Sequence, residues 1–127
     1  MELNPDCIRD ILLDVERVVT PKIKYCFPTQ SQKLLETYSK DEIFYHILQC
    51  NYTGFFIGFQ RYSRESCFIG DLSPKGHQFL ANIRQDTNWN KVKTVADTVG
   101  SKSLDVLSNI ASNVIAAVVK SAMGLPG

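Results

Sequence analysis

Ser39-Lys-Asp-Glu-Ile-Phe-Tyr-His-Ile-Leu-Gln-Cys-Asn-Tyr-Thr-Gly-Phe-Phe-Ile-Gly58 decides the fold. Ser39 and Glu42 have the spacing of a capping box, in which each side chain takes a backbone N–H of a helix's opening turn. Ile43, Phe44, Ile47 and Leu48 recur at three- and four-residue steps and share one face, while Asp41, Glu42, Tyr45, His46 and Gln49 fall on the other. Gly54 ends this helix, and Phe55-Phe56-Ile57 starts a strand. A helix that feeds directly into a hairpin is the second half of a winged helix-turn-helix.

Upstream, Asn4-Pro5-Asp6 is a helix start: an N-cap, proline at the first helical position and an acid at the positive end of the dipole. Ile8, Ile11, Leu12, Val15 and Val19 form its apolar stripe. Asp6, Asp10, Asp14 and Glu16, with Arg9 and Arg17, make the exposed side acidic, and Thr20-Pro21 stops the helix. Alternation of Ile23, Tyr25 and Phe27 predicts a short strand closed by Pro28. Ser31–Thr37 reads as a brief helix with Leu34 and Leu35 inward. The order helix, strand, helix, turn, helix matches the helix-turn-helix arrangement.

Downstream, Gln60-Arg61-Tyr62-Ser63-Arg64-Glu65-Ser66 is the polar wing of a hairpin that returns through Cys67-Phe68-Ile69. Ser73 caps and Pro74 opens a further helix with Phe79, Leu80 and Ile83 as its apolar positions. Trp89, Val92, Val95, Ala96 and Val99 can share one face of the next segment, which Gly100-Ser101 breaks. In the last helix, roughly Ser103 to Met123, Leu104, Leu107, Ala111, Val114 and Val118 follow a short coiled-coil-like register. The fold class expected is therefore α+β: a winged helix-turn-helix with a small antiparallel β-hairpin wing over residues 1–85, and a helical C-terminal extension over 86–127.

Fourteen basic and thirteen acidic residues nearly cancel, so any electrostatic footprint is local. The four cysteines, Cys7, Cys26, Cys50 and Cys67, form no C-x-x-C pair. Glu2 and Asp6 occupy the opening region in place of an apolar signal segment, so a cytoplasmic protein with reduced thiols is expected. Asp105, Asn109, Asn113 and Lys120 interrupt the last helix. Its longest apolar run, Val114–Val119, falls short of the roughly 20 residues of a membrane span. No membrane partner is expected.

Three pieces resemble the phage and prophage family known as domain of unknown function 2513. They are Met-x-Leu-x-x-Asp-x-x-Arg-Asp-Ile-Leu-Leu-x-x-Glu from Met1 to Glu16, Tyr45-His46-Ile47-x-x-Cys50 followed by Gly-Phe-Phe, and Leu72-Ser73-Pro74-x-Gly76-His77-x-Phe79-Leu80. Trp89 and the valine-rich tail also fall where the family has them. The resemblance implies a winged-helix-like fold and a mobile-element origin, and it assigns no activity.

Two uses compete. In DNA binding, residues 40–51 enter the major groove with Tyr45, His46 and Gln49 at base edges. Lys40, Arg61 and Arg64, with Tyr62 in the wing and Lys75 nearby, then meet the phosphate backbone. Asp41 and Glu42 in the first turn oppose this, since acids repel phosphate. In protein binding, a neutral winged helix with an acidic first helix serves as an adaptor or inhibitor of a host protein. The last helix packs on its own domain or pairs with a second copy through Trp89, Leu104, Leu107, Ala111, Val114 and Val118. His46 and Cys50, four apart, are the start of a zinc set that Cys67 and His77 would have to complete, but the spacing matches no zinc pattern. His77 is expected to bond to the sheet or the Tyr45-His46 helix. No metal, cofactor or catalytic constellation is expected.

Overall fold

The structure, a computed structural model, describes residues 1–126. The chain is α+β, with six helices and small antiparallel sheets among the described residues. It divides into two compact units, Met1–His77 and Gln78–Gly127.

In the first unit, α1 runs from Pro5 to Val18, with the Asn4 side chain accepting from the N–H groups of Asp6 and Cys7. Its buried residues are Cys7, Ile8, Ile11, Leu12, Asp14 and Val15. Asp14 thus departs from the acidic outer surface expected of it. One carboxylate oxygen accepts from the Tyr25 hydroxyl at 2.6 Å and the other from Arg17 at 2.7 Å. Those two donors replace the water lost on burial.

The first strand, β1, is Tyr25–Phe27 and omits Ile23. Thr20 and Ile23 close a tight turn by exchanging both backbone hydrogen bonds, and Ile23 is left half-exposed. After α2 (Gln32–Leu35) comes α3, Lys40–Tyr52, with both bonds of the capping box formed. Ile43, Phe44, Ile47 and Cys50 are buried, and Leu48 is only half-buried.

Strands β2 (Phe56–Ile57), β3 (Gln60–Arg61), β4 (Cys67–Ile69) and β5 (Asp71–Leu72) then form two ladders: β1–β4–β3 and β2–β5. Phe56 pairs Leu72, Ile57 pairs Asp71, Gln60 pairs Phe68 and Arg61 pairs Cys67. All four pairs keep one register offset, so the ladders are halves of one hairpin. The interruption lies where Gly58 and Gly70 face each other. Gly58 has φ +64°, and a Cβ on Gly70 would stand 2.9 Å from the Ile57 carbonyl oxygen. Side chains cannot fit at that crossing, and the hairpin bends there. Gln60 and Arg61 consequently belong to a strand, and the expected wing shortens to a tip over 62–66.

Helix α4, Pro74–Ile83, opens as expected, with Ser73 Oγ accepting from the Gly76 N–H at 3.0 Å. The Ser73 hydroxyl donates to the Gly54 carbonyl, and the Ser73 N–H to that of Phe55. Gly76 lies so close to the strand that a Cβ would meet the Phe55 oxygen at 2.3 Å. This contact gives the Gly76-His77 pair its physical meaning: only glycine lets the helix start here.

In the second unit, α5 (Asp86–Val99) and α6 (Leu104–Ala122) form an antiparallel helical hairpin. Trp89, Val92 and Ala96 of α5 are buried, as are Leu104, Leu107, Ile110 and Ala111 of α6. Val95 and Val99, grouped with Trp89, Val92 and Ala96 on one face by spacing, are exposed. Trp89, Leu104, Leu107 and Ala111, four of the residues expected either to pack on their own domain or to pair with a second copy, are buried within the single chain. Val114 and Val118 are only half-buried. By length and composition α6 is the one helix among the described residues able to cross a membrane, and just 22% of its apolar window is buried.

Candidate functional site

The capping box fixes the first turn of α3. The Glu42 N–H donates to Ser39 Oγ at 3.1 Å, and the Ser39 N–H to the Glu42 carboxylate at 3.2 Å. Lys40 and Asp41 are thereby held on the exposed end of the helix. The hairpin tip is equally defined. The Tyr62 N–H donates to the Ser66 carbonyl at 3.0 Å, and the Ser63 and Ser66 hydroxyls share a 2.8 Å bond.

Between these two elements lies a cleft of about 490 Å³. Phe27, Phe44, Tyr45 and Leu48 form its apolar part, and Lys40, Asp41, Arg64 and Glu65 its charged part. The Arg61 Nε–H donates to the Ser63 carbonyl, and its guanidinium lies over the Phe44 ring, 5.0 Å from the centroid. Lys40 of α3 thus shares one neighbourhood with Arg61 and Arg64 of the hairpin. None of them is in an ion pair among the described residues. Gln49 lies further along α3 and is half-buried. Tyr62 is 65% exposed and meets Phe68 edge-to-face at 4.6 Å.

His46 is the correction. It is 1% exposed and does not belong to the open side of α3. Its Nε2 accepts from the Asn4 N–H at 2.8 Å, and its Nδ1 lies 2.6 Å from the Glu42 carbonyl. A carbonyl only accepts, so Nδ1 carries the proton and the ring is neutral. Burial lowers its pKa below the usual histidine value, partly offset by the Glu42 carbonyl and carboxylate. The imidazole therefore ties the start of α1 to α3 and cannot read a base edge.

The same bonds withhold His46 from metal. Among the described residues no three His, Cys, Asp or Glu side chains come together to hold an ion. His77 is exposed, its Nε2 3.7 Å from an Asp71 carboxylate oxygen on β5, so it faces the sheet at ion-pair distance. Burial pushes the Cys7 and Cys67 thiols up to about 12, and it raises that of the fully buried Cys50 further. Such thiols are poor nucleophiles at neutral pH.

Sequence reasoning missed the floor of the cleft. Phe27 and Phe44 carry the signal of core residues, and both are buried. Their rims nevertheless line the opening, which no periodicity reveals. Tyr52, at the end of α3 and 69% exposed, is a second omission. It prolongs the open row Asp41–Tyr45–Leu48–Tyr52, whose spacing is that of one helix face.

Comparison with known proteins gives one match. No curated protein and no solved structure matches the chain. Residues 2–102 match the family described as Hypothetical protein (DUF2513), and by the extent of that match the chain belongs to it.

Proposed function

We propose that residues 1–77 are a winged helix that binds duplex DNA, with α3 as the groove-reading helix and the β3–β4 tip as the wing. The observation that carries this reading is the convergence of Lys40, Arg61 and Arg64 around one cleft, with none neutralised by an ion pair. The strand order β1–β4–β3, with β1 between α1 and α2, supports the fold assignment. Lys40, Arg61 and Arg64 hold phosphates, and the tip carries Tyr62 towards the backbone. Tyr45 and Gln49 are left to meet base edges, without His46. Asp41 and Glu65 stand beside the cations, so the field is weak and the affinity modest.

A second reading has its own observation. The row Asp41–Tyr45–Leu48–Tyr52 and the apolar cleft floor suit an apolar protein segment flanked by both signs of charge. Aromatic and arginine side chains of this kind dominate protein interfaces.

Binding of random-sequence duplex DNA across a salt series separates the two. Each phosphate contact contributes about −0.9 to the slope of log K against log salt. The wild type is expected to bind at low salt, and Arg61→Ala/Arg64→Ala to flatten the slope by about 2. No binding at low salt overturns the DNA reading and leaves the protein-segment reading.

A further inference from the structure

The cleft between α3 and the hairpin tip holds more than phosphate sites. Phosphates need cations, and Lys40 and Arg64 supply them at the opening. They have no use for an apolar floor or for carboxylates. Yet the cavity of about 490 Å³ is floored by Phe27, Phe44, Tyr45 and Leu48, and Asp41 and Glu65 share the opening with the cations. All four charged residues are exposed. Each cation has a carboxylate as its sequence neighbour, but no ion pair joins them among the described residues. The opening thus presents both signs of charge to a ligand, above an apolar floor.

We infer that the cleft takes one unpaired nucleotide of a DNA strand, its base bearing an exocyclic amine. The base lies on the apolar floor, its amine at Asp41 and Glu65 and its flanking phosphates at Lys40 and Arg64. A duplex leaves this floor unused, because its bases are stacked and its grooves present polar edges. An unpaired base presents flat apolar faces, which aromatic side chains bind whatever the sequence. The carboxylates add the choice of base. They accept from the amines of cytosine, adenine and guanine. Thymine instead has two carbonyls flanking its one ring N–H, and carboxylates repel these. In a duplex the edge that carries the amine is turned to the opposite strand, whereas an unpaired base turns it outward. The acids that weaken duplex binding are thus contacts for a free base. The inference rests on the phosphate role given above to Lys40 and Arg64.

Fluorescence anisotropy of the full chain with labelled oligo-dC and oligo-dT of equal length, beside a mixed-sequence duplex, tests it. The two strands carry the same phosphates, so the electrostatic part cancels and their ratio reads the base. Oligo-dC is expected to bind about 10-fold tighter than oligo-dT, with parallel salt dependence. Asp41→Ala/Glu65→Ala should abolish that preference while both strands still bind. Both side chains are exposed and lie outside the capping box, so the variant should keep the wild-type melting temperature. A preference for oligo-dC that survives in this variant overturns the inference. If the duplex binds while the two strands bind equally or not at all, the inference falls and the duplex reading stands. A preference for oligo-dC with no duplex bound upholds the inference and overturns the duplex reading alone. Displacement of oligo-dC by an equal concentration of dCMP overturns it by assigning the cleft to a free nucleotide. No binding of strand or duplex overturns both readings and leaves the floor to a protein segment.

Discussion

The two units solve the burial problem differently. In Met1–His77 the buried polar side chains, Asp14, Ser31, His46 and Ser73, all have partners, and these bonds join distant parts of the unit. In the helical hairpin beyond, the one buried side-chain oxygen without a partner among the described residues is Ser108 Oγ, and the far half of α6 stays open. A fold whose buried polar groups are all paired has one arrangement and loses much when a pair is broken. A helix covered on only one side tolerates surface change and depends on what covers the rest. Perturbations should therefore be costly at the paired groups of the first unit and nearly silent on the open far half of α6.

The largest effect is expected for Gly76→Ala. A Cβ 2.3 Å from a backbone oxygen forces the helix start off the strand, at about 3 kcal/mol or more by denaturant unfolding. Asp14→Ala is next: it deprives Tyr25 of one bond and leaves Arg17 unpaired, for about 2 kcal/mol in the same assay. An Asp14→Ala protein as stable as wild type would remove the contrast between the units.

The third effect is a pH dependence. His46 has a lowered pKa in the folded chain, so below pH 6.5 the unfolded chain takes up a proton that the folded one resists. Its contribution to stability is full above the unfolded value of 6.5 and is lost as pH falls through the folded one. Melts between pH 7.5 and 5 should show this decline, and His46→Gln should flatten it. A subtler contrast concerns thiols. Cys7, Cys50 and Cys67 are buried and Cys26 is half-exposed, so a thiol reagent should modify Cys26 first and the others only on unfolding. The smallest effect is expected for Val119→Glu, within about 0.5 kcal/mol, since Val119 is exposed on the open far half of α6.

Much of this was legible in the sequence, for local reasons. The Asn4-Pro5 start, the Ser39–Glu42 capping box and the Ser73-Pro74 start each use side chains within three residues of their targets, and all three are formed. Tertiary facts were not legible. Helical spacing put Asp14 and His46 outside because both are polar. Only the arrival of Tyr25 beside one and Asn4 beside the other makes their burial favourable. Gly76 was visible as a motif, but its reason, the Phe55 carbonyl, comes from another element. On α5 and α6, spacing identified apolar positions without telling which the hairpin itself covers. One face by spacing therefore holds both buried Trp89, Val92 and Ala96 and exposed Val95 and Val99.

The central claim is that α3 and the hairpin tip form one working face. The most direct test is an amide ¹H–¹⁵N spectrum of the full chain titrated with a short random duplex at low salt. Shifts confined to residues 40–52 and 60–66 are the result expected. An unchanged spectrum, or shifts centred on other residues while these stay fixed, would contradict it.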